Sequence, residues 1–198
     1  MGLDRRDLRT TFGLGLLALF ALAACAPGPR FEGTALEPPI SSPAFLLQDQ
    51  FGRARATADF RGKVVVLSFM YTRCPDICPL LAEKLKQARA DLGRKAEAVA
   101  FVVVSVDPEG DTEQAALDFS QRHGLAEDWS YLVGSRKELE RVWNHYYVES
   151  HKEGDEHSLI DHSAPVYLLD RRGEARVLHR GSDLEAPSLV QDIRVLLR

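Results

Sequence analysis

The sequence predicts an α/β protein with a central mixed sheet flanked by helices. Three observations carry this. Residues 64–69 and 98–106 are short, nearly unbroken runs of apolar and β-branched residues, the pattern of strands buried on both faces. Between them lies a helical pattern in which Leu81, Leu85, Ala88 and Leu92 share one face and Gly93 stops the helix. Near the C-terminus, residues 166–170 and 175–179 read as two strands joined by a turn at Arg172-Gly173, and an amphipathic helix over residues 187–197 closes the chain.

The remaining elements fill in this frame. Residues 45–50 look like a strand entering a turn at Gly52, and residues 59–62 a second turn, giving an N-terminal hairpin. After the second buried strand ends at Asp107-Pro108, Thr112 is the N-cap of a helix that stops at His123-Gly124. Residues 129–133 form a third strand. Ser135-Arg-Lys-Glu138 is a capping box, opening a helix that runs to about Tyr146. Strand–helix–strand–helix units followed by a hairpin and a last helix give a thioredoxin-like topology.

The 198 residues suit one domain plus a targeting segment. Arg5, Arg6 and Arg9 make a basic start, and residues 12–24 are apolar but too short for a comfortable membrane span. The segment ends Leu22-Ala-Ala-Cys25, which resembles a bacterial lipobox with Cys25 as the lipidated residue. Residues 4–9 also resemble a twin-arginine export signal. The expected organisation is a lipoprotein-type signal over 1–25, a Pro- and Gly-rich flexible tether over 26–42 and the folded domain over 43–198. The protein is then exported and tethered to the membrane on the periplasmic side. Residues 1–24 carry three Arg and two Asp, so their removal takes the net charge from −4 to −5. A mildly acidic domain gives no electrostatic reason to expect nucleic-acid binding.

Cys74 and Cys78 sit where the first buried strand hands over to a helix, with Pro79 at a position suited to the first turn. The helix dipole and free N–H groups there favour thiolate over thiol. Cys-x-x-x-Cys is one residue longer than the usual dithiol redox spacing. It can close a disulfide, and it is also a two-sulfur bite for Cu(I) or Zn(II). Buried inert cysteines or a structural disulfide are the plain alternatives. Two ligands are too few for a stable metal site. In a thioredoxin-like fold the strand over residues 166–170 begins close to the cysteine turn, which makes His162 the candidate third ligand, with Asp161 or a nearby carbonyl orienting its ring; a structural histidine at a strand start is the plain alternative. An open Cys2His set suits copper held for transfer, whereas structural zinc usually takes four protein ligands. The polar residues 147–161, with His151, Glu153, Asp155, Glu156 and His157, read as a solvated loop or a metal-handling one. Asp107 either influences the site or satisfies backbone groups at a strand end.

Three motifs together resemble the Sco/SenC/PrrC copper-binding proteins: residues 71–79, Ser105-Val-Asp-Pro108, and Asp161-His-Ser163 ahead of Tyr167-Leu-Leu-Asp170. The resemblance covers roughly residues 43–198. It implies a thioredoxin-like fold, a membrane-tethered domain, copper bound by two Cys and one His, here Cys74, Cys78 and His162, and a role in assembling the binuclear copper site of cytochrome c oxidase. It departs from the family at Gly110, where Arg is common, at Ser158, where Tyr is common, and at Pro165. The implied protein is a metallochaperone rather than an enzyme, with an oxidase subunit as acceptor. The alternatives are a thiol–disulfide oxidoreductase acting on that subunit, with Cys74 and Cys78 as its redox pair, and a copper- or redox-responsive regulator.

Overall fold

The computed structural model describes residues 30–148 and 164–198. Its strands are β1 (Thr34–Ser41), β2 (Leu46–Gln48), β3 (Ala54–Ala56), β4 (Val64–Met70), β5 (Val99–Ser105), β6 (Ser130–Leu132), β7 (Val166–Leu169) and β8 (Glu174–His179). Its α-helices are α1 (Ile77–Leu92), α2 (Glu113–Arg122), α3 (Arg136–His145) and α4 (Ala186–Leu196). Six strands form one sheet in the order β1-β8-β7-β4-β5-β6, and β2 pairs with β3 in a separate hairpin. The β4–β5 and β5–β6 pairs are parallel; β4–β7, β7–β8 and β1–β8 are antiparallel. The mixed sheet, flanking helices and N-terminal hairpin are the thioredoxin-like arrangement that the alternation of elements predicts.

All seven residues of β4 are buried, because both faces of the sheet are covered. Val64, Val66 and Met70 pack with Leu81, Leu85 and Ala88 of α1 and Leu189, Val190 and Ile193 of α4. Val65, Leu67 and Phe69 point the other way, toward Leu139, Val142 and Trp143 of α3, Leu47 of β2 and Phe60 just after the hairpin. Period-2 strands and period-3.6 helices thus meet on two apolar layers. Each fully buried Leu or Val contributes roughly 1.5–3 kcal/mol of transfer free energy. Thr112 caps α2 by accepting from Ala115 N at 3.1 Å, and Ser135 and Glu138 form the capping box of α3.

The folded unit, Phe31–Arg198, starts earlier than the composition suggests. Residues 34–41, assigned to the tether because of Pro38 and Pro39, form β1 on the sheet edge, paired to β8. Proline lacks a ladder donor, so an edge strand is where two prolines are tolerated; the register shifts between Ala35 and Ile40, across them. Asp192 of α4 holds the entry to this strand. Its carboxylate accepts from Glu32 N at 2.8 Å and Gly33 N at 2.9 Å, and lies 2.9 Å from His179 Nε2.

Candidate functional site

The cysteine loop leaves the C-terminal end of β4 and enters α1 at Ile77. Cys74 and Cys78 are both free of disulfide bonds and both buried, at 5% and 2% exposure. Cys78 N donates to Cys74 Sγ at 3.4 Å. The N-cap, Asp76, offers no side-chain acceptor to the first turn of α1, so sulfur takes one of the donors that a helix start leaves open.

That geometry splits the two thiols. A hydrogen bond from the Cys78 side chain is the largest influence on Cys74. Together with the Asp76 and Cys78 N–H groups and the Tyr71 side chain, it outweighs burial and lowers the Cys74 pKa to about 5. Cys78 is driven well up, first by donating to Cys74 and then by burial. Tyr71 is also raised, by burial and then by the charge on Cys74, so it stays a neutral donor. The pair is therefore one thiolate with one thiol aimed at it. A soft metal ion would replace the Cys78 proton.

Two carboxylates from the loop between β5 and α2 hold the residues just before Cys74. Asp111 accepts from Thr72 N at 2.9 Å and Thr72 Oγ1 at 2.7 Å through one oxygen, and from Ser105 Oγ at 2.6 Å and Tyr131 OH at 3.2 Å through the other. Burial pushes its pKa up, against those donors. Asp107 pairs with Arg73, Nη2 to Oδ2 2.7 Å, and also accepts from Gly110 N at 3.1 Å. Asp107 thus satisfies the strand end and grips the cysteine loop as well. Gly110 is what makes room: a Cβ there would lie 2.2 Å from Arg73 Nη2 and 2.2 Å from Asp107 Oδ2.

Asp111 and Tyr71 were not singled out from sequence. A carboxylate one residue before an N-cap normally reads as a solvated helix start, and only the fold shows Asp111 to be 4% exposed. The sole signal was the polar run Asp107–Asp111 directly after a buried strand. Of the other expected site residues, Cys25, Asp161 and His162 lie outside the described residues, as does the polar loop from residue 149 on. The described chain resumes at Ala164, and β7 begins opposite the cysteine end of β4, with Val166 paired to Ser68.

The fold and these motifs have close parallels. Residues 34–198 match the family model SCO1/SenC. The human protein SCO2 homolog, mitochondrial, is 37% identical over 134 residues, covering 65% of this chain and 50% of that protein. The chain thus spans about half the length of the curated relatives it matches. Among solved structures, Bradyrhizobium japonicum ScoI with copper bound is 27% identical with a TM-score of 0.69, covering 78% of this chain and 98% of that one. Apo Sco1 from Thermus thermophilus is 29% identical with a TM-score of 0.71, covering 86% and 99%. The chain belongs to the SCO1/SenC family.

Proposed function

We propose that this protein is an exported copper chaperone. It binds one copper through Cys74, Cys78 and His162, is held on the periplasmic side of the membrane by a lipid on Cys25, and supplies the copper site of cytochrome c oxidase. The observation that carries the reading is the buried pair of free sulfurs, one of them a thiolate, at the start of α1. Soft thiolates select Cu(I). Family membership and the copper held by Bradyrhizobium ScoI support the choice of metal. His162 stands four residues before Val166, and the chain enters β7 at the sheet end where the cysteine loop leaves β4. The copper passes by ligand exchange without changing charge: acceptor ligands displace the sulfurs, and Cys78 regains its proton as the ion leaves.

One observation favours a second reading. A low-pKa thiolate beside a thiol is also fit for disulfide exchange: Cys74 sulfur attacks a partner disulfide, and Cys78 then displaces the partner while the partner's two sulfurs leave reduced. This route does not need His162. Cells whose only copy is His162→Ala therefore separate the two. The chaperone reading expects oxidase activity and copper content to fall at low copper, while dithiol exchange in the purified protein survives. Full oxidase activity at low copper would favour the reductase.

No helix among the described residues is long and apolar enough to cross a membrane. The lipobox-like run Leu22-Ala-Ala-Cys25 is the ground for assigning the anchor to Cys25, and Cys25→Ser is expected to move the protein from the membrane fraction to the soluble one. A wild-type protein processed to an N-terminus other than Cys25 would overturn the lipid anchor.

A further inference from the structure

On the sheet face away from the cysteines there is a cavity of about 220 Å³. Its floor is aliphatic, formed by Val65 and Leu67 of β4, Val102 of β5 and Leu169 of β7, with Phe45 and Phe60 as side walls. These belong to the apolar layer under α3 and the hairpin, whereas Cys74 and Cys78 pack in the other layer. Close-packed interiors leave few voids larger than a water molecule. The cavity opens to solvent, and its apolar floor is surface that an apolar ligand would remove from water.

The rim is polar and has a direction. Ser42, Thr57, Arg61, Arg172 and Glu174 line the opening. Arg172 is already engaged, 2.9 Å from Glu174 and 3.3 Å from Asp170. Arg61 is exposed and has no ion-pair partner among the described residues. Ser42 Oγ and Tyr146 OH lie 2.9 Å apart. Two hydroxyls carry two protons and need only one for the bond between them, so one O–H remains to donate. Burial raises Tyr146 to about 12, which keeps it protonated. The Thr57 hydroxyl is occupied, donating to Pro43 O and accepting from Phe45 N.

We infer that this cavity binds a small amphiphile with a carboxylate head at Arg61 and the Ser42–Tyr146 hydroxyl pair, and an apolar tail over Val65, Leu67, Val102 and Leu169. A cavity of about 150 Å³ holds benzene, so this one accommodates roughly eight or nine carbons, the size of a medium-chain carboxylate. Its walls come from the end of β1, the hairpin region and the β7–β8 turn. A ligand seated there ties these parts together and stabilises the domain by mass action. The site is separate from the proposed copper function and stands or falls independently of it.

The test is a titration of the full chain, with labelled methyl groups, by octanoate, butyrate, octanol and octylamine. Octanoate is expected to shift the methyl signals of Val65, Leu67, Val102 and Leu169 with a Kd of about 1 mM or tighter, given its size, and to raise the Tm. Butyrate leaves those signals in place, and octylamine binds at least about tenfold more weakly. Arg61→Gln, an exposed substitution that leaves the core intact, is expected to bring octanoate down to the level of octanol. Octanoate binding that leaves these four residues unmoved, or none at about 10 mM, would overturn the site. Equal binding of octylamine, or undiminished binding by Arg61→Gln, would overturn the carboxylate assignment.

Discussion

Cys74 owes its charge to donors that come from different parts of the chain, and they can be removed one at a time. The largest is the Cys78 side chain. Alkylation of Cys74 by iodoacetamide is expected to stay near its plateau at neutral pH and to fall only as the pH drops through about 5, where the thiolate takes up its proton. In Cys78→Ala that titration should move upward by a unit or more, about 1.4 kcal/mol per unit. Tyr71→Phe, which removes a smaller influence, should move it less. Asp111 makes a stability prediction. Asp111→Ala strands Thr72, Ser105 and Tyr131 donors in the interior, and denaturant unfolding should show a loss of about 3 kcal/mol or more. Gly110→Ala should displace the Arg73 guanidinium from Asp107. Because the Arg73 side chain is 66% exposed, the ion pair itself is worth no more than about 1 kcal/mol, and most of the cost comes from crowding Asp107. The cysteine pair was legible in the sequence because its spacing and flanking prolines carry a chemical meaning. Asp111 was not, since its role depends on two loops meeting that are 39 residues apart in the chain.

At the scale of elements, the long buried strands and the capped helices were readable because hydrophobic period and cap chemistry agree. The strand β1 was not. Its alternation is interrupted by Pro38-Pro39, and its pairing with β8 is a long-range contact that local composition does not carry. What keeps it in place is testable through Asp192. The carboxyl is wholly buried, which alone would raise its pKa, yet the bonds from His179, Glu32 N and Gly33 N bring it below the ordinary 3.8. A depressed carboxylate contributes stability that is present above its unfolded pKa and is lost as the pH falls through the folded one. Unfolding of wild type should therefore steepen below about pH 4, and Asp192→Asn should flatten that acid limb while lowering stability at neutral pH. Hydrogen exchange at Thr34 and Ala35 should rise in the same variant. An unchanged acid limb would mean that Asp192 does not hold the entry to β1.

Among the described residues, one cysteine pair lies at the sheet end where β4 leaves and β7 begins. The most direct test of the account is a Cu(I) titration of the intact protein against a competing chelator, repeated with Cys74→Ala, Cys78→Ala and His162→Ala. The expected result is one copper per chain in wild type, release of about one proton per copper at neutral pH because Cys74 is already ionised, and sharply weaker binding in each variant. Binding that is undiminished in His162→Ala, or more than one tightly held copper per chain, would contradict a single site built from these three residues.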